Sequence, residues 1–265
     1  MKQEHDDYQV VPYPKTRHII ADSLRHGHRM HTIYALTEAD VTKVRQYIRE
    51  HKARTGEALS FTAFIANCVA QAVEEDRYVQ GYRQGRNKLV IFNDVDIDIV
   101  VEREVDGVRV PVVPRTIRAA NEKTFREIHG EIRAAQADEV TETYGPLKWY
   151  LSLPSLITRF VLRLFWWRFF RDPHLRRRFG GTIGITSVGM FGKGAGWGIP
   201  ISMHTVDITL GGIVEKPGIV DDRIETREYL SVTISFDHDI VDGAPAARFT
   251  QRLKELIESG SGLTD

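Results

Sequence analysis

The stretch SFDHDIVDGAPAARF, residues 235–249, places a histidine where an alternating apolar run gives way to an Ala-rich helical segment. His238 at a strand end would project from a rigid frame, and an imidazole with an ordinary pKa of about 6.5 suits proton transfer near neutrality. Asp242 follows across the turn, too close in sequence to orient the same ring easily. A structural task suits it better: capping the helix 244–258 or pairing with an arginine. A hydrogen-bonded structural histidine beside an ordinary N-cap fits the same spacing, so this motif alone does not define a site.

A second candidate is GGTIGITSVGMFGKGAGWGIP, 180–200. Its glycines follow a strand without opening a helix, which fits neither the dinucleotide fingerprint nor the P-loop. Thr186 and Ser187 sit where the strand gives way to the glycine loop, so a hydroxyl could be offered where a ligand needs close backbone approach. A turn hydroxyl is the plainer alternative. His26, His28 and His31 match no standard zinc spacing and no second cluster supports them, so no metal is expected. Cys68 is the one cysteine and lies inside the apolar FTAFIANCVAQAV. It reads as a buried, inert thiol, excludes an intrachain disulfide and suits a reducing compartment. No G-x-S-x-G elbow is present for a serine hydrolase.

These residues need a frame. Helical spacing predicts helices over 15–26, 40–52 with Asp40 as N-cap, 60–76 capped by Ser60 or Thr62, 120–137 and 244–258. Strands are predicted at 31–37, 88–92, 95–103, 109–114, 181–187, 205–214 and 229–236. In VDIDIVVER the acids Asp96 and Asp98 alternate with apolar residues, the pattern of a sheet with one wet face. Pro111 and Pro114 make 109–114 an edge strand or a loop. Helices and strands mix without a βαβ rhythm, so the fold class is α+β with a mixed or antiparallel sheet.

Acidic and basic residues balance at 36 each over 265 residues, which gives no global pull towards nucleic acid. The first residues, MKQEHDDYQVVPYPK, contain no apolar signal core, so a cytoplasmic protein is the expectation. The outlier is 145–179, which reads as a helix after Pro154. Its FVLRLFWWRFF is apolar around most of its circumference yet carries Arg163 and Arg168, so a membrane span is not expected. It either packs on its own domain or a neighbouring subunit, or it docks on a membrane surface or a partner, helped by Arg176, Arg177 and Arg178.

Taken together, DHDIVDGAPAARF, IGITSVGMFG (183–192), GVRVPVV (107–113), FIANCVAQAV (64–73) and KTRHIIADSL (15–24) resemble the catalytic core of the dihydrolipoyl acyltransferases of 2-oxo acid dehydrogenase complexes. The resemblance implies a chloramphenicol acetyltransferase-like α+β fold, a mixed sheet flanked by helices, forming a homotrimer. It implies a flexible lead-in over 1–14, a catalytic domain over 15–258 with the apolar insertion 145–179, and a polar tail over 259–265. It implies acyl transfer between a coenzyme A thioester and a thiol or other acceptor. His238 would be the general base, Thr186 of the next subunit would stabilise the oxyanion, and Asp242 would be structural with Arg25 as its ion-pair partner. Ser187 and Gly189 would lie against coenzyme A. The chain departs from the family pattern in four ways. Asp239 replaces the usual arginine after the histidine, and no Asp-Lys-Ala lipoylation site is present. The segment 145–179 replaces a short polar linker, and the polar tail points to a free trimer rather than a cage. A non-catalytic trimeric scaffold or membrane-associated assembly protein on the same fold is the alternative expectation.

Overall fold

The computed structural model describes residues 8–11, 13, 15–99, 102–105, 108–111, 115–137, 155–189 and 194–263. In chain order these form α1 (Lys15–Gly27), β1 (Thr32–Asp40), α2 (Thr42–Thr55), α3 (Phe61–Glu75), β2 (Tyr82–Gln84), β3 (Lys88–Val90), β4 (Ile97–Ile99), β5 (Glu102–Val105), β6 (Val108–Pro111) and β7 (Arg115–Ile117). There follow α4 (Phe125–Ala137), α5 (Ser155–Arg171), α6 (Pro173–Gly180), β8 (Ile183–Ser187), β9 (Val206–Val220), β10 (Arg223–Asp237) and α7 (Gly243–Ser259). Most of the lead-in 1–14 and the first part of the insertion, 145–154, lie outside the described residues.

The main sheet runs β1-β10-β9-β8-β4-β7. It is mixed, because β8 lies parallel to both β4 and β9 while the remaining pairs are antiparallel. Alternation sets its two faces. Ile183 and Ile185 of β8, Val206, Ile208 and Leu210 of β9, and Leu230, Val232, Ile234 and Phe236 of β10 join one core with residues of α2, α3, α4 and α7. The opposite face is polar: Thr209, Ser231, Thr233 and Ser235 are buried there. Ser60 caps α3 as expected, accepting a hydrogen bond from the Ala63 N–H (3.2 Å). Asp40 ends β1 rather than occupying the N-cap, but its carboxylate accepts from the Thr42 N–H (2.9 Å) and so performs much of that task. Cys68 is buried in α3, and burial pushes its thiol pKa up.

Several outcomes differ from the sequence expectations: the stretch read as one strand over 95–103 is divided between β4 in the main sheet and β5 in a separate hairpin with β6, and the helix expected over 120–137 starts at Phe125. The hairpin strands β9 and β10 are much longer than 205–214 and 229–236. Their tight turn uses Asp221 and Asp222 at φ 47° and 60°, the left-handed pair a twisted two-residue hairpin needs. Asp96 and Asp98 do not face water but are buried. Asp96 accepts from Arg118 (2.8 Å), from Arg177 of α6 (2.7 Å) and from the Ala119 N–H (2.9 Å). These three donors outweigh the burial penalty and hold its carboxyl below the usual range. Asp98 has one hydroxyl partner, Thr116, and burial pushes it up to about 6. Finally, the core runs past residue 258: Gly260 closes α7 in the left-handed conformation, and Leu263 returns to the core.

A second polar cluster fixes the start of β8. His204 shares a proton with the Asp207 carboxylate through Nδ1 (2.6 Å), while Nε2 faces the Gly180 carbonyl (2.6 Å). Burial works against the charge on His204, but Asp207 and the carbonyl outweigh it and raise the pKa above 6.5; Asp207 is held below 3.8. A raised histidine contributes stability in full below its unfolded value and loses it as pH climbs through the folded value. A depressed aspartate does the reverse, losing its contribution as pH falls through the folded value. Both contributions are therefore complete between about 3.8 and 6.5. The urea midpoint is expected to fall as pH rises from 6 to 9, and His204→Gln is expected to flatten that slope. An unchanged slope in the variant would assign the pH dependence to other groups.

Candidate active site

β10 delivers His238 to the end of the sheet. Asp237 is its last residue and pairs with Thr32 of β1. The chain then turns, and the His238 N–H donates to the His31 carbonyl (2.9 Å), which pins the backbone while the side chain stays exposed. Two carboxylates flank it. Asp237 is partly buried, accepts from the Asp239 N–H (3.1 Å), and is raised chiefly by that burial. Asp239, which stands where the resemblance expects arginine, bonds the His31 ring (2.9 Å) and lies 3.8 Å from Arg83. Its hydrogen bond raises the pKa of His31. The extra negative charge at position 239 is thus matched by an imidazole and a guanidinium.

Asp242 opens α7, and its carbonyl accepts the Ala246 N–H (3.1 Å), but its side chain makes no capping bond. Arg25 pairs with Asp22 in its own helix instead of with Asp242. Both proposed structural partners of Asp242 are therefore absent among the described residues of a single chain, and its carboxylate stays exposed.

Thr186 and Ser187 end β8 as expected. Thr186 pairs with Thr209, and Thr209 with Thr233, so three hydroxyl residues cross the polar face in one row. Alternation sends Ser187 to the other face, the one that carries Ile183 and Ile185, so the two hydroxyls do not share a surface. Gly189 is held by packing: a methyl there would sit 1.8 Å from the Gly211 carbonyl oxygen. The loop after it comes down on the same glycine pair, where a methyl on Gly212 would meet the Gly194 oxygen at 1.9 Å. The glycines of the motif thus let a loop lie flat on β9. The residues 190–193 lie outside the described residues.

His238 and Thr186 do not meet within one chain. They are two strands apart across the sheet, and Thr233, in register with Thr186 through Thr209, precedes His238 by five residues. Strand spacings put their Cα atoms roughly 19 Å apart. The other histidines go separate ways: His26 stacks on Phe170 (centroids 4.6 Å) and contacts the Asp22 carbonyl, and His31 faces Asp239. Sequence reading missed the His31–Asp239 pair because its members are 208 positions apart and neither lies in a local motif.

Comparison with known proteins follows the same outline. The lipoamide acyltransferase component of the branched-chain alpha-keto acid dehydrogenase complex of Bacillus subtilis is 26% identical over 94% of this chain and 52% of its own length. The chain spans about half the length of the curated relatives it matches. Among solved structures, a probable dihydrolipoamide acetyltransferase from Listeria monocytogenes superposes with a TM-score of 0.70 at 23% identity, covering 96% of both chains. Chloramphenicol acetyltransferase, at 12% identity, has a TM-score of 0.53 and covers 94% of this chain and 99% of its own. The fold is therefore the expected one. The family described as 2-oxoacid dehydrogenases acyltransferase (catalytic domain) matches residues 5–143 and 176–264, and with most of its length inside that match the chain belongs to this family.

Proposed function

We propose that the protein moves an acyl group between a coenzyme A thioester and a thiol acceptor, in sites shared between the subunits of a homotrimer. His238 takes the proton of the attacking thiol, and the thiolate adds to the thioester carbonyl. The Thr186 hydroxyl of the neighbouring subunit donates to the tetrahedral oxyanion. Collapse breaks the carbon–sulfur bond, and the departing thiolate recovers the proton from His238. Asp242 stays structural and would take its partner across the subunit boundary. The carrying observation is the separation of His238 and Thr186 in one chain, with His238 exposed and Thr186 only half-buried. A base and an oxyanion donor must both lie within about 3 Å of one reacting centre, and a second copy of the chain can supply the missing half. Gly189, in the loop that follows β8, would set the channel wall on the Thr186 side, whereas Ser187 ends β8 on the opposite face of the sheet.

The test is direct transfer. The purified protein is given a panel of acyl-coenzyme A thioesters with dihydrolipoamide, and release of free coenzyme A and formation of the acyl-dihydrolipoamide thioester are followed together. At least one acyl group is expected to transfer with equal amounts of both products. No transfer from any member of the panel, by a protein that sediments as a trimer, would overturn the reading.

A further inference from the structure

The segment between the two family-matched stretches, 144–175, contains the whole of α5. It packs chiefly on α1 and α6. Leu162 and Phe169 of α5 are buried. Phe160, Leu164 and Trp167, spaced i, i+4 and i+7, form a stripe along the helix that is 70%, 53% and 49% exposed. Phe179 of α6 is also exposed. Scattered exposed apolar residues are ordinary, but a continuous aromatic and aliphatic stripe marks a contact surface.

Cations border this stripe. Arg171 lies over the Trp167 ring at 4.6 Å, Arg168 pairs with Asp172, and Arg178 stacks on Phe179 at 5.6 Å. Between α1 and α5 opens a cleft of about 370 Å³ lined by Asp22, Arg25, His26, Arg29, Arg163 and Trp166. Asp22 is already paired with Arg25. Arg29 and Arg163 have no acidic partner among the described residues. Trp166 is also part of the lining. Two unneutralised guanidinium groups lining one cleft make a site for an oxyanion. Placed beside an exposed apolar ridge, that oxyanion fits a phosphate attached to acyl chains. A protein partner would be served by the ridge alone and gives no reason for the cleft.

We propose that α5 docks on an anionic phospholipid bilayer, with Phe160, Leu164 and Trp167 in the interface and one lipid phosphate seated between Arg29 and Arg163. No helix of the described residues is long and apolar enough to cross a membrane, and α5 has only 17 residues, so it lies in the plane of the surface. The inference is independent of the acyl-transfer reading.

The experiment is co-sedimentation of the full chain with phosphatidylcholine vesicles, with and without phosphatidylglycerol. Binding is expected only to the anionic vesicles. Arg29→Glu with Arg163→Glu is expected to weaken it roughly twenty-five-fold or more, since each arginine near an anionic surface contributes about fivefold. Phe160→Ser with Leu164→Ser is expected to abolish it while the mass by light scattering stays unchanged. Equal binding to both vesicle types would overturn headgroup recognition. Failure to bind either type would overturn the proposal. A lower mass in the serine variant would then assign the stripe to a second copy of the chain, and saturable binding of glycerol 3-phosphate would assign the cleft to a soluble phosphate.

Discussion

His238→Ala is expected to lower kcat for acyl transfer by about 10²–10⁴, the usual worth of a positioned acid–base group, with little change in unfolding midpoint or trimer mass. The ring is exposed and makes no hydrogen bond among the described residues; the backbone bond to the His31 carbonyl survives the substitution. Loss of activity would therefore report chemistry rather than unfolding. A second readout separates a base from a positioning group. If His238 takes the thiol proton, the deficit should shrink as pH approaches the thiol pKa, because solvent then supplies thiolate without help. Parallel pH profiles for both proteins, or unchanged transfer at neutral pH, would remove His238 from the base role. Asp239→Ala offers a sharper control: it strips His31 and Arg83 of their carboxylate partner without touching the proposed base.

The residues that anchor this argument differ in how visible they are from sequence. Helices α3 and α7 are legible because their signals are local: Ser60 with its capping bond, and an apolar stripe after an Asp-Gly pair. Strand β8 and its Thr186 terminus are legible for the same reason. The outer halves of β9 and β10 are not, because they extend beyond the core. There Pro217 and Gly218 break the usual strand composition, and Ile219 and Ile224 are exposed. Pro217 is tolerated because β8 stops at the Leu210 register and leaves that stretch of β9 with an open edge. Asp96 shows the opposite failure. Alternation correctly placed it on the face away from the isoleucines, but not every such face is wet. Arg177, 81 positions later, arrives on α6 and turns an exposed position into a buried ion pair. Local patterns report a strand's two faces; what covers each face is decided by distant chain. The same holds for the proposed active site: both halves are readable as motifs, while their proposed partnership depends on how copies assemble.

Mixed trimers test that partnership most severely. Thr186→Val alone is expected to cost about 10²–10³ in kcat, equivalent to about 2.7–4 kcal/mol of oxyanion stabilisation, with Thr186→Ser retaining most activity because it keeps the donor. His238→Ala and Thr186→Val preparations are then each nearly inactive. When equal amounts are unfolded together and reassembled at random, each interface of the proposed trimer would draw His238 from one chain and Thr186 from the next. An interface is intact when the first chain is the valine variant and the second the alanine variant, which occurs at about one interface in four under cyclic symmetry. The mixture is thus expected to regain about one quarter of wild-type activity, a recovery far above the sum of its parts. If instead both groups served one carbonyl from within a single chain, every site would lack one of them and no mixture could recover. Mass spectrometry that finds hetero-trimers without recovered transfer would therefore separate His238 from Thr186, and would leave the roughly 19 Å between them inside one chain with no assembly to close it.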